Sequence, residues 1–225
     1  MTGTLYLVAT PVGDYDDLTL RALRVLKEAD LVVCEEFTEG KKLLRHFGVE
    51  KFLDSLNEHN EEEKSAELLE QLKEGKRIAL ISDCGTPVFT DPGKILVRRA
   101  IEAGIPTFPI PGPSSIIPAL VASGFPTDSF LFPGWLSPKR AERRRELEAL
   151  RDEKRTTILM DAPYRLSSLL SDLVEVLGGE REVCVAMDLT MQSEEYVRGP
   201  ASSVLERIGR QKREFVIVLR GRQQG

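Results

Sequence analysis

The run Ile78-Ala79-Leu80-Ile81 holds no polar residue and follows the turn Glu74-Gly75-Lys76. It opens into residues 83–93, eleven positions that include two Asp, two Gly and two Pro. An apolar run this short, bounded by turn residues, reads as a strand covered on both faces. The loop behind it is rigid, because Pro fixes φ, and it is open to close approach, because Gly has no side chain. Such a loop can present fixed amides and carbonyls to a ligand, or it can simply turn a strand into a helix. The rest of the chain has to decide between the two.

Residues 4–9 form another apolar, β-rich run, broken by Thr10-Pro11-Val12-Gly13-Asp14. Leu18, Leu20, Ala22, Leu23, Val25 and Leu26 then recur at helical spacing, with Asp16 or Asp17 as the expected N-cap. Residues 31–34 make a second buried strand with Glu35-Glu36 at its carboxyl end, where open α/β sheets place ligands. A short basic helix over 40–47 and an amphipathic helix over 63–74 follow, the latter preceded by Glu58-His59-Asn60-Glu61. Beyond the central loop come a helix over 94–103, a strand over 107–110, the rigid loop Pro111-Gly112-Pro113-Ser114-Ser115 and a helix over 116–123. Strands alternating with helices predict an α/β fold with a parallel sheet covered on both faces. Past that loop the order changes. Strands over 130–132, 156–160, 182–187 and 214–219 and helices over 139–155, 166–177 and 202–208 predict a mixed-sheet α/β domain. The expected domains are therefore 1–112 and 113–225.

A chain of 225 residues suits one large domain or two of ordinary size. Its net charge of −5 argues against a general nucleic-acid coat, though not against a local basic patch. Cys34, Cys84 and Cys184 are widely spaced, as in a reducing compartment. No signal-peptide pattern opens the chain and no apolar run approaches the ~18 residues of a membrane span, so a cytoplasmic location without membrane attachment is expected. The dinucleotide fingerprint, the Walker lysine and the Gly-x-Ser-x-Gly elbow are all missing from the sequence. His46 and His59, its two histidines, are in no ligand-spaced cluster, so no metal site is expected. What remains is binding by backbone-rich loops. Those over 9–14, 83–91 and 111–115 follow strands of one sheet and suit a ligand read by main-chain groups and small hydroxyls.

The opening residues Gly3-Thr4-Leu5-Tyr6-Leu7-Val8-Ala9-Thr10-Pro11-Val12-Gly13, the loop Ser82-Asp83-Cys84-Gly85-Thr86-Pro87 with Asp91-Pro92-Gly93, and Pro111-Gly112-Pro113-Ser114 resemble the tetrapyrrole methylase superfamily. Together with Phe132-Pro133-Gly134-Trp135-Leu136, Ala162-Pro163, Leu189-Thr190 and Glu214-Phe215-Val216, they look like its branch that methylates a cytidine ribose 2′-hydroxyl in small-subunit ribosomal RNA. The resemblance implies two α/β domains, S-adenosylmethionine in the cleft between them, and a homodimer acting on ribosomal RNA or the small ribosomal subunit. Carried over by position, the cofactor would touch Pro11, Val12, Gly85, Thr86, Pro87, Phe89, Ser114 and Ser115, with Met160 and Ala186 approaching from the second domain. The chain also departs from that branch. Its usual Glu-Asp-Thr-Arg is Glu35-Glu36-Phe37-Thr38 here, Glu-Ala-Pro-His-Arg is Asp161-Ala162-Pro163-Tyr164-Arg165, and Arg-Glu-Leu-Thr-Lys is Met187-Asp188-Leu189-Thr190-Met191. Basic or imidazole positions on the substrate side are thus replaced, and the C-terminal extension of many members does not follow the 214–219 strand.

Methyl transfer from a sulfonium is an in-line displacement in which positioning of the acceptor supplies most of the acceleration. A ribose hydroxyl also gains from a carboxylate that accepts its proton. Glu35, Glu36 and Asp83 are the candidates for that catalytic role, each with a structural role equally open. Residues 139–155 hold eight basic and five acidic side chains. They read as a solvated helix face, while Arg140, Arg143, Arg144 and Arg145 cluster at its start as candidate RNA-phosphate contacts. The leading expectation is an RNA ribose methyltransferase. The alternatives are a methylase of a small acceptor such as a corrin precursor, and a cofactor-binding protein without catalysis.

Overall fold

A computed structural model describes residues 2–222. The chain divides into two compact units, Met1–Ser114 and Ser115–Gly225.

In the first unit, β1 (Thr4–Val8), α1 (Leu20–Glu28), β2 (Leu31–Cys34), α2 (Phe37–His46), β3 (Leu53–Ser55), α3 (Glu61–Lys73), β4 (Arg77–Ile81), α4 (Lys94–Glu102) and β5 (Thr107–Ile110) follow in that order. The strands form a parallel five-stranded sheet in the order β3-β2-β4-β1-β5. Because side chains alternate across a strand, β4 sends Ala79 and Ile81 into one core, with α1 and α2, and Ile78 and Leu80 into the other, with α3 and α4. Coverage of both faces explains the uninterrupted apolar runs. The connection from β1 leads to one side of the sheet and that from β4 to the other. The loops after these adjacent strands therefore meet at a topological switch point, where open α/β sheets leave a crevice.

The second unit contains α5 (Ile116–Ser123), β6 (Phe130–Leu131), α6 (Arg140–Ala149), β7 (Thr156–Met160), α7 (Leu166–Leu177), β8 (Glu182–Met187), β9 (Glu195–Pro200), α8 (Ala201–Ile208) and β10 (Phe215–Leu219). Its sheet has the order β6-β7-β10-β8-β9, with β6 parallel to β7 and the remaining pairs antiparallel. Leu159, Val185, Ile217 and Leu219 pack with Leu147, Leu169, Leu173 and Val204 of α6, α7 and α8. The helix α5 lies against β8 and β10.

Two edge strands, β3 and β9, escape the sequence reading. Val197 is the only fully buried residue of β9, and β3 spans three half-buried residues, so neither shows an apolar run. The N-cap of α1 is Thr19, whose hydroxyl accepts the Ala22 amide at 3.1 Å, rather than Asp16 or Asp17. Those two aspartates belong to a short 3-10 turn capped by Asp14. The charged helix expected over 139–155 ends at Ala149, because the apolar side of this segment stops at Leu147 and Leu150. Among the described residues no helix is long and apolar enough to cross a membrane, and no His, Cys, Asp or Glu group is arranged to hold a metal.

Candidate functional site

At the carboxyl end of the parallel sheet, Thr10 and Gly85 exchange backbone hydrogen bonds, Thr10 N–H to Gly85 O at 2.9 Å and Gly85 N–H to Thr10 O at 3.0 Å. The buried Thr10 hydroxyl donates to Ser82 O at 2.9 Å, a third tie between the loops after β1 and β4. The loop after β5 joins them where the Thr86 hydroxyl donates to Pro113 O at 3.3 Å. Gly85 is the meeting point. A Cβ on it would lie 3.8 Å from Pro113 O and from Ser114 Cα and 3.9 Å from Val12 Cγ2. Those are ordinary contact distances, so the reason for glycine here is the backbone, whose φ of +78° an L side chain rarely adopts.

The loop is fixed from beneath. The Ser82 hydroxyl donates to Asp91 Oδ2 at 2.5 Å and accepts the Cys84 amide at 3.2 Å. Glu61 Oε1 accepts the Gly93 and Ile95 amides at 2.7 and 3.1 Å, so a carboxylate from α3 caps the start of α4. The Glu58-His59-Asn60-Glu61 segment serves this cap. Asn57 and Asn60 close a turn, with Asn57 N–H on Asn60 Oδ1 at 2.8 Å, that aims Glu61 at α4. His59 is exposed and lies 3.5 Å from Glu58. Val88 adopts φ +69°, strained for a β-branched residue and held by this bracing.

Of the positions singled out for the cofactor, Pro11, Gly85, Pro87 and Ala186 are buried. Val12, Ser114, Ser115 and Met160 are half-buried, and Thr86 and Phe89 are exposed. Gly85, Thr86, Val12 and Ser114 come together in the first unit. In the second, Met160 ends β7 and Ala186 lies within β8 beside Val216.

The three carboxylates singled out for catalysis form one cluster. Asp83 Oδ1 accepts the Glu36 amide at 3.1 Å. Burial, with Asp91, Asp83, Glu36 and Glu58 as like-charged neighbours, pushes Glu35 up to about 7. Burial likewise raises Asp83, and it pushes the Cys34 thiol beneath the cluster up to about 12. Asp91 and Glu58 are members that sequence reasoning did not assign. Asp91-Pro92-Gly93 was legible as the end of the rigid loop ahead of the helix over 94–103, but nothing local shows that the Asp91 carboxylate turns back onto Ser82.

The arginine cluster on α6 requires a correction. Arg143 is 4% exposed, and its guanidinium donates to Asp172 Oδ2 from Nη2 at 2.7 Å and from Nε at 3.0 Å. It is a core ion-pair residue and cannot be a phosphate contact. Arg140 reaches the other oxygen of Asp172 at 2.8 Å, and Arg140 and Arg144 share Glu175 at 3.1 and 2.8 Å. Arg145 is exposed and forms no ion pair among the described residues. At the branch departures, Tyr164 packs beneath the Arg165 guanidinium, 5.3 Å from ring centroid to Cζ, and Arg165 holds Asp161 at 3.0 Å. Asp188, at φ +48°, accepts from Arg213 Nε at 2.7 Å and from the Ser193 hydroxyl at 2.9 Å.

A parallel sheet with braced backbone loops at its switch point, followed by a mixed sheet, defines a two-unit α/β protein. The chain belongs to the tetrapyrrole (corrin/porphyrin) methylases, whose profile matches residues 4–205. It is 43% identical over 97% of its length to the ribosomal RNA small subunit methyltransferase I of Halalkalibacterium halodurans, covering 76% of that protein. It is 43% identical to the enzyme of the same name from Escherichia coli O157:H7, covering 78% of it. The Thermotoga maritima enzyme of that name is 39% identical over 98% of this chain and is covered over its entire length. The fold matches a uroporphyrin-III-C-methyltransferase from Thermus thermophilus with a TM-score of 0.67 at 23% identity, over 97% of this chain and 94% of that one. The protein is a methyltransferase, and the methyl donor of this family is S-adenosylmethionine.

Proposed function

We propose that this enzyme methylates a cytidine ribose 2′-hydroxyl in small-subunit ribosomal RNA. The observation that carries this reading is the identity of about two residues in five, over nearly the whole chain, to methyltransferases named for that RNA. The cradle around Gly85 fits the donor. Its walls are the backbone of Pro113 and Ser114, the Val12 side chain and the Thr86 hydroxyl, groups that read a nucleoside by shape and hydrogen bonding. We assign Pro11, Val12, Gly85, Thr86, Pro87, Phe89, Ser114, Ser115, Met160 and Ala186 to cofactor contact. When bound, the donor supplies an electrophilic methyl group on sulfur. The protein's own task is to place the acceptor hydroxyl and take its proton. Incubation with labelled S-adenosylmethionine should put one methyl on a cytidine ribose of the small subunit. Label entering a tetrapyrrole precursor and not RNA would overturn the acceptor assignment.

Glu35 is the carboxylate we assign to that proton. It is half-buried at the end of β2 in a cluster of four other acids, and at about 7 it is half ionised near neutral pH. The sign follows from the raised value. The base works only when ionised, so activity should rise with pH through about 7 and then level. Glu35→Gln should flatten this rise and lower kcat about 10²- to 10⁴-fold, with the affinity for S-adenosylmethionine unchanged. A wild-type rate independent of pH between 5.5 and 8.5 would remove Glu35 from this role.

Arg140, Arg144 and Arg145 remain surface candidates for phosphate contact in the second unit. We further propose a homodimer in the cytoplasm, the state the family resemblance implies. Light scattering at micromolar concentration should give twice the chain mass, and a single-chain mass would refute it.

A further inference from the structure

We propose that a groove at the β3 edge of the first unit is a subsite for single-stranded RNA, stacking bases on Phe37 and Phe52 and holding phosphates with Lys41, Arg45 and Lys51. This inference rests on the RNA-acceptor reading and names a surface that delivers the strand. The groove has a volume of about 530 Å³, and besides these residues its lining includes Glu50.

The aromatic rings are out of place for a folded core. Phe52 is 84% exposed and Phe37 49% exposed. Their backbones are nevertheless fixed. Phe52 O accepts the Val32 amide at 3.0 Å, which ties it to β2 just ahead of β3. Phe37 opens α2, and α2 is held close to β2 at Gly40, where a Cβ would come within 2.8 Å of Cys34 Sγ. Rings presented on fixed backbone lose little further freedom when a base stacks on them. Scattered exposed aromatics would need no account, but here they line one groove with cations.

Charge selects the occupant. The chain is acidic overall, and Lys42 on the outer side of the same helix is bonded to Glu39 at 2.7 Å. Lys41, Arg45 and Lys51 form no ion pair among the described residues, although Lys51 is near enough to Asp30 to help lower that carboxyl. With three cations against Glu50, the lining carries net positive charge. Aromatic platforms interleaved with such cations are the arrangement that binds single strands. A duplex keeps its bases stacked on one another and offers the rings nothing. The location is also apt, because Phe37 directly follows Glu35-Glu36 and the groove begins beside the carboxylate cluster.

The test uses the full chain and a fluorescein-labelled single-stranded RNA decamer, read by anisotropy across a salt series, with a duplex of the same sequence alongside. Phe52→Ala should weaken decamer binding about tenfold, and Phe52→Tyr should restore it. Lys41→Ala with Lys51→Ala should flatten the slope of log affinity against log salt by about 1.4. Phe52→Trp should add a tryptophan emission that the decamer quenches and the duplex does not. S-adenosylmethionine affinity should stay at the wild-type value in each variant. Wild-type decamer binding in all of them would overturn the groove while leaving the RNA reading intact. A wild-type chain that binds no RNA and methylates none would overturn both. A change of mass in Phe52→Ala would identify a second copy of the chain as the occupant and also overturn it.

Discussion

Replacing Asp172 with alanine is expected to cost about 3–5 kcal/mol of stability, the largest loss of stability of any substitution discussed for this chain. Asp172 has no exposed surface and Arg143 has 4%. The pair sits between α6 and α7 with three charge-assisted hydrogen bonds, two from Arg143 and one from Arg140. Removing the carboxylate leaves the Arg143 guanidinium buried and uncompensated, and that desolvation, more than the lost attraction, sets the magnitude. Arg143→Ala should also destabilise, but less, because the buried Asp172 keeps its bond from Arg140. Arg140→Ala should cost far less, because Arg140 is mostly exposed and its ion pairs are screened. The double replacement Arg143→Met with Asp172→Leu should recover most of the loss, since apolar side chains of similar volume need no partner. Urea denaturation gives all four values. A cost below about 1 kcal/mol for Asp172→Ala would show that the pair is solvated. The result bears on function as well: weakened RNA methylation by Arg143→Ala would report a loosened second unit and not a lost phosphate contact.

The same pair shows where the sequence stops being legible. Four arginines within six residues look like a phosphate patch, because the carboxylates that pair with three of them, Arg140, Arg143 and Arg144, lie on α7, 29 to 35 positions away. Pairing at that distance is a product of the fold, and no local pattern announces it. The parallel sheet was legible for the opposite reason. Burial on both faces forces β1, β2 and β4 into apolar runs that stand out from their surroundings. The edge strand β9 buries only Val197 fully and left no such mark. At the site, the Gly- and Pro-rich strand ends identified the loops, while the couplings Thr10 to Gly85, Ser82 to Asp91 and Glu61 to Gly93 became visible only with the strand order. Thr19 took the capping role expected of Asp16 or Asp17 because Asp14 had already drawn those residues into a separate turn.

Gly85→Val is expected to reduce the affinity for S-adenosylmethionine about 100-fold, close to 2.7 kcal/mol. Two effects combine at this residue. A side chain would occupy the space bounded by Val12, Pro113 and Ser114, which is the cradle assigned to the donor. A β-branched residue at φ +78° is also strained by about 1–3 kcal/mol, and the loop would relieve that strain by pulling Gly85 away from Thr10. Strain alone would lower stability without touching the ligand, so the comparison needs a control. Gly124 ends α5 at φ +77°, and a Cβ placed on it would meet no atom within 4 Å. Gly124→Val therefore carries equal backbone strain without filling the cradle. Calorimetric titration of both variants, each checked for folding by circular dichroism, should show weak binding in Gly85→Val and near wild-type binding in Gly124→Val. Equal affinity in the two would mean that the donor does not lie against Gly85, and the assignment of Val12, Thr86 and Ser114 to the same cradle would fall with it.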